Sequence, residues 1–102
     1  MQRKDIIEQI RKKLKDLPLS ASVILYGSEA REEARPDSDV DLLIIVNQEK
    51  LSEKEKQNMI NPLFEIEYEA GVLINPIVIL KNQWDEMITP FHENVIKEGI
   101  VL

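Results

Sequence analysis

The sequence predicts one small α/β (α+β) domain, a mixed β-sheet flanked by helices. Two observations carry that expectation. VDLLIIV (Val40 to Val46) is apolar at successive positions and not at alternate ones, so both faces of this strand are covered, as in the interior of a sheet. Helical and strand patterns also alternate along the chain, which suits layers packed on a single sheet. At 102 residues there is room for one core and little surplus stability.

Each element has its own signal. Ile6, Ile7, Ile10, Leu14 and Leu17 share one helical face, with Arg11, Lys12, Lys13 and Lys15 mostly opposite, and Pro18 ends that helix. SVILY (Ser22 to Tyr26) is short, apolar and stopped by Gly27, which reads as a strand. SEAREEA (Ser28 to Ala34) predicts a short helix with Ser28 as its N-cap, and Arg35, Pro36, Asp37 and Ser38 make a turn. Ser52 and Glu55 form a capping box. The helix they open buries Met59, Leu63, Ile66 and Ala70, bends at Pro62 and stops at Gly71.

VLINPIVIL (Val72 to Leu80) is a third strand. Pro76 cannot donate to a ladder, so this strand belongs at an edge or carries a bulge. Asn82 is placed to cap a helix carrying Trp84, Met87 and Ile88. Thr89 and Pro90 are a suitable N-cap and first residue for a last helix through Glu98, closed by Gly99. Whether the apolar tail GIVL packs on this sheet or on a partner is left open.

Composition removes several function classes. The chain has no cysteine, so neither disulfides nor a thiolate metal site can support it. A net charge of −6 argues against nucleic-acid binding, which needs a basic surface to displace counterions. A single histidine, His92, leaves little room for a serine triad or a histidine-based zinc site. No apolar run reaches membrane-spanning length and the N-terminus lacks a signal-peptide core, so a cytoplasmic protein without membrane contact is expected.

One connection, YGSEAREEARPDSDVDLLIIV (Tyr26 to Val46), concentrates the chemistry. Asp39 and Asp41 are two apart at the mouth of a strand, so their side chains leave from the same face. Carboxylates held that close repel, and a hard divalent cation between them resolves the conflict; Mg²⁺ prefers one or two carboxylates completed by phosphate and water. At the other end, Gly27 and Ser28 make a tight corner whose backbone N–H groups and hydroxyl suit an anion. Taken singly, the corner is an ordinary turn and the acids a solvated cluster. DSDVD also resembles the start of a calcium loop, but Leu42 and Gln48 stand where that loop needs its glycine and bidentate glutamate.

In conjunction, GSEAR (Gly27 to Arg31) and SDVDLLI (Ser38 to Ile44), with ten residues between Gly-Ser and Asp-x-Asp, resemble the DNA polymerase β-like nucleotidyltransferases, most closely their minimal (MNT) members, often encoded beside a HEPN-domain protein. The resemblance implies a polymerase β-like fold over residues 1–102 as one minimal nucleotidyltransferase domain. It implies that Gly27 and Ser28, helped by Arg31, bind the phosphates of a nucleoside triphosphate, ATP in the first instance. Asp39 and Asp41 would be the catalytic, Mg²⁺-ligating pair. The implied activity is transfer of AMP to a hydroxyl of a HEPN-type toxin, with this chain as antitoxin; assembly with further copies of the chain is left open.

Two positions depart from the family pattern. A third carboxylate is usual on the later strand, where this chain has Asn75 and Pro76, with Glu67 or Glu69 as substitutes from the preceding helix. Glu32 stands where many relatives have glycine, adding to Glu29 and Glu33 near the phosphates. Both departures favour an alternative, an inactive or weakly active module that neutralises its partner by stoichiometric contact. Transfer to a small molecule such as an aminoglycoside is a third option, disfavoured because those enzymes carry additional domains. Trp84 and His92 lie in helical patterns as packing or surface residues.

Overall fold

The computed structural model describes residues 2–17 and 21–102. In chain order the elements are α1 (Arg3–Leu14), β1 (Ala21–Tyr26), β2 (Val40–Val46), α2 (Glu53–Ala70), β3 (Ile74–Leu80), α3 (Lys81–Glu86), α4 (Pro90–Glu98) and β4 (Ile100–Val101). The strands form one mixed sheet ordered β3-β2-β1-β4. In it β2 is parallel to β3, and β1 is antiparallel to both β2 and β4.

The successive apolar residues of β2 have the expected cause. Val40, Leu42, Ile44 and Val46 point into a core made with Ile6, Ile10 and Leu14 of α1 and Met59, Leu63 and Ile66 of α2. Leu43 and Ile45 point the other way, onto Trp84 of α3 and Val95 of α4. Alternation along the strand sends odd positions to the α3/α4 side. Asp39 and Asp41 therefore belong to the more thinly covered face.

The local signals mostly hold. Ser52 Oγ accepts from the Glu55 N–H while the Glu55 carboxylate accepts from the Ser52 N–H, and Gly71 closes α2 in the left-handed region, φ 71°. The helix continues through Pro62. Thr89 caps α4 through His92 N–H, with Pro90 at its first position. β3 lies at the sheet edge, where Pro76 is tolerated. The tail packs at home, as Ile100 and Val101 pair with Leu25 and Ile24. No helix among the described residues is long and apolar enough to cross a membrane.

Three expectations change. Residues 28–32 form turns, 33 and 34 are irregular, and no helix forms over 28–34. Asn82 lies inside α3 and does not cap it; the N-cap is Leu80, two residues earlier, whose N–H donates to the Gln83 side chain. α1 closes at Leu14 with Lys15 as its C-cap, and Pro18, expected to end it, lies outside the described residues. Leu17 still packs against the core from the following turn.

Candidate active site

Sheet register assembles the site. Asp41 on β2 faces Tyr26 across the antiparallel ladder and Asn75 across the parallel one. All three side chains lie on the α3/α4 side, and Asp39 joins them from one step before the strand. The Asn75 amide bridges the pair, Nδ2 donating to Asp39 Oδ2 at 3.3 Å and to Asp41 Oδ1 at 3.2 Å. Asparagine thus occupies the place expected for a third carboxylate. Burial, and second the Asp41 carboxylate, push the Tyr26 phenol up.

Neither substitute acid joins the pair. Glu67 Oε1 accepts from the Ile74 N–H at 2.8 Å, fixing the entry to β3, and Glu69 is exposed. Among the described residues no cluster of three or more histidine or acidic side chains is placed to hold a metal. The donors that converge are two carboxylates and an amide whose half-turn would present its oxygen. Such hard oxygens fit Mg²⁺, which takes one or two carboxylates and draws its other ligands from phosphate and water.

The anion corner is built as a turn. Gly27 has φ 76°, and a Cβ there would stand 2.5 Å from Asp41 Oδ2; only glycine lets the backbone come this close to the carboxylate. The following carbonyls are used, Gly27 O by Arg31 N–H and Ser28 O by Glu33 N–H. The N–H groups of Ser28, Glu29 and Ala30 make no backbone hydrogen bond in this turn. Successive free N–H groups in a turn form an anion-binding concavity without any helix.

Glu32 explains why the helix fails. Its φ is 59°, in the left-handed region that costs an L-residue about 1–2 kcal/mol. The position departing from the family's glycine is one where the backbone asks for glycine. Glu32→Gly is therefore expected to stabilise the protein by about 1 kcal/mol, read as a higher midpoint in urea at unchanged slope. A lower midpoint would show that the Glu32 side chain matters more than its backbone.

The charges around the corner are already organised. Glu29 is paired with Arg3, Nε to Oε2 at 2.9 Å, with both side chains largely shielded. The same guanidinium donates to the Ser38 carbonyl and, at 3.4 Å, to the Asp39 carbonyl. One planar fork from α1 thus ties the Gly-Ser turn to the backbone carrying Asp39. Arg31 donates to Glu33 at 3.1 Å and to Glu98 at 3.4 Å, bonds that raise its already high pKa. Of the three acids in the turn only Glu32 lacks an ion pair among the described residues. Arg3 was missed in sequence because it looks like any other basic residue of an amphipathic helix.

Comparisons with known proteins give the family and the fold. A family model for the nucleotidyltransferase domain matches residues 7–102. Two Methanocaldococcus jannaschii proteins carry the provisional name protein adenylyltransferase. MJ0141 is 38% identical over 82 residues, covering 76% of this chain and 82% of its own. MJ0604 is 33% identical over 81 residues, covering 78% and 75%. Among solved structures, one described provisionally as a minimal nucleotidyltransferase superposes with a TM-score of 0.67 at 24% identity, over 100% of this chain and 97% of its own. A crystal structure of a toxin–antitoxin with AMP-PNP gives 0.63 at 15% identity, over 92% and 69%.

Proposed function

The chain belongs to the nucleotidyltransferase domain family, and from that premise we propose that it transfers AMP from ATP, with Mg²⁺, to a hydroxyl on a HEPN-type protein partner, acting as its antitoxin. The observation that carries the reading is Asp41 set directly between the Gly27 corner and Asn75, with Asp39 beside it. The provisional names of the archaeal relatives support a protein acceptor, and the toxin–antitoxin neighbour supports the setting.

The residues divide the work. The Ser28 to Ala30 N–H groups and the Ser28 hydroxyl receive the β- and γ-phosphates, with Arg31 drawn from its glutamates to assist. Asp39 and Asp41 would hold Mg²⁺, with the Asn75 amide oxygen turned inward, and the ion would supply a lowered pKa for the acceptor hydroxyl and positive charge for the departing pyrophosphate. The acceptor oxygen bonds to the α-phosphorus, the bond from that phosphorus to the β-phosphate bridging oxygen breaks, and the hydroxyl proton passes to solvent. A small domain with an open carboxylate face suits an acceptor presented from outside.

The test combines the protein, Mg²⁺, α-labelled ATP and the HEPN-type partner. Label should reach the partner, and Asp39→Ala or Asp41→Ala should each reduce transfer by about 10³-fold. Asn75 in the third-carboxylate place favours the second reading, a module neutralising its partner by contact. Absence of transfer, with partner inhibition retained in both variants, would decide for that reading.

A further inference from the structure

Beside the Asp pair, between β1 and α4, lies a cavity of about 300 Å³ walled by Tyr26, Gly27, Arg31, Phe91, Asn94 and Glu98. We infer that this cavity receives the nucleobase of the triphosphate, and that the Asn94 amide selects adenine. The inference rests on the nucleotidyltransferase reading above and deepens it by naming the cavity and the side chain that would recognise the base.

Position comes first. Gly27 belongs both to the phosphate corner and to the cavity wall. Tyr26, the next wall, is the register partner of Asp41. The cavity therefore opens next to where the α-phosphate has to lie, on the same face of the sheet. Its volume is at the lower end of sites that enclose small ligands, roughly 300–1,000 Å³.

The lining suits a flat, neutral, aromatic ligand. Tyr26 and Phe91 meet edge to face, centroids 5.3 Å apart at 83°, and Phe91 is backed by Trp84 at 6.1 Å. The aromatic wall is thus held in place before any ligand arrives. Asn94 follows Phe91 by three residues on α4, so the two side chains leave neighbouring positions on one side of the helix. Its amide makes no hydrogen bond among the described residues. Glu98 in the wall is paired with Arg31 at 3.4 Å; once Arg31 turns to the phosphates, the Glu98 carboxylate left behind disfavours a second anion here and leaves the phosphates to the corner.

Selection follows from hydrogen-bond polarity. Adenine presents a donor at N6 beside an acceptor at N7, which an asparagine amide meets with its oxygen and nitrogen together. Guanine presents two acceptors at O6 and N7, and one would face the amide oxygen. Pyrimidines leave part of the aromatic wall uncovered.

Calorimetry on the full chain with Mg²⁺ tests this using ATP, GTP, CTP and inorganic tripolyphosphate. ATP should bind about 10-fold more tightly than GTP. Asn94→Ala should remove that preference while leaving tripolyphosphate affinity unchanged, and Phe91→Leu should weaken ATP and GTP alike. Asn94 is exposed, so its truncation spares the core. Equal affinity for all three nucleotides, or an ATP preference that survives Asn94→Ala, overturns the base site and leaves the phosphate corner standing. Failure of both ATP and tripolyphosphate to bind overturns the nucleotidyltransferase reading, and the base site with it.

Discussion

Gly27→Ala is expected to reduce transfer by about 10²-fold or more while the sheet still folds. Two costs act together. Alanine at φ 76° loses about 1–2 kcal/mol of backbone energy, which for a domain of this size lowers Tm by about 4–8 °C per kcal/mol. The new Cβ would also stand 2.5 Å from Asp41 Oδ2 and 3.4 Å from its Cγ, so the carboxylate has to swing aside. That displacement of a proposed metal ligand, more than the lost stability, removes activity. A double-mutant cycle separates the two costs. In an Asp41→Ala background the steric part disappears, and the Tm penalty of Gly27→Ala should shrink to the backbone part alone. An equal penalty in both backgrounds would show that the close approach to Asp41 does not govern this position.

Asn75→Asp is expected to act in the opposite direction. Without metal, the substitution replaces an amide that donates to both carboxylates with a third negative charge, so the protein should melt lower than the wild type. With Mg²⁺ the sign reverses, because three oxygen anions bind the ion more tightly than two, and a ligand that binds only the folded state raises Tm. A carboxylate beside the acceptor also supplies a proton acceptor, worth typically 10² to 10⁴ in rate. Turnover should rise by about 10²-fold. Melting curves with and without Mg²⁺ and the labelled-ATP assay read both effects. A variant whose Tm ignores Mg²⁺ would show that Asn75 does not stand at the metal position.

The parts of the fold that were legible in the sequence are those written in short stretches. The unbroken apolar run of β2, the Ser52 and Glu55 pair and the Thr89-Pro90 start each carry their cause within a few residues. The turn at 28–34 misleads for a physical reason. Its glutamates, alanines and arginine are good helix formers, but Glu32 adopts a left-handed backbone and Arg3, 26 residues away from Glu29, fixes the turn from outside. Sequence spacing likewise put Asp39 and Asp41 on one face. It could place Asn75 only near them, because the contact depends on the register between two parallel strands. The cavity against α4 had no local signature at all, since Phe91 and Asn94 meet Tyr26 only once the last helix has folded back over β1.

The unequal covering of the sheet has a consequence for motion. The α1/α2 side holds most of the buried core, whereas the face carrying the acids is roofed by helices of six and nine residues. Helices that short have little stability of their own and depend on their packing. Amide hydrogens in α3 and α4 should therefore exchange through local openings well below the cost of global unfolding, while those of β2 report the whole molecule. Asp41 is therefore anchored on the strand expected to exchange most slowly, at the open end of the face whose helices are expected to exchange first. A bulky acceptor can be accommodated by small movements of α3 and α4, with the carboxylate's anchorage undisturbed.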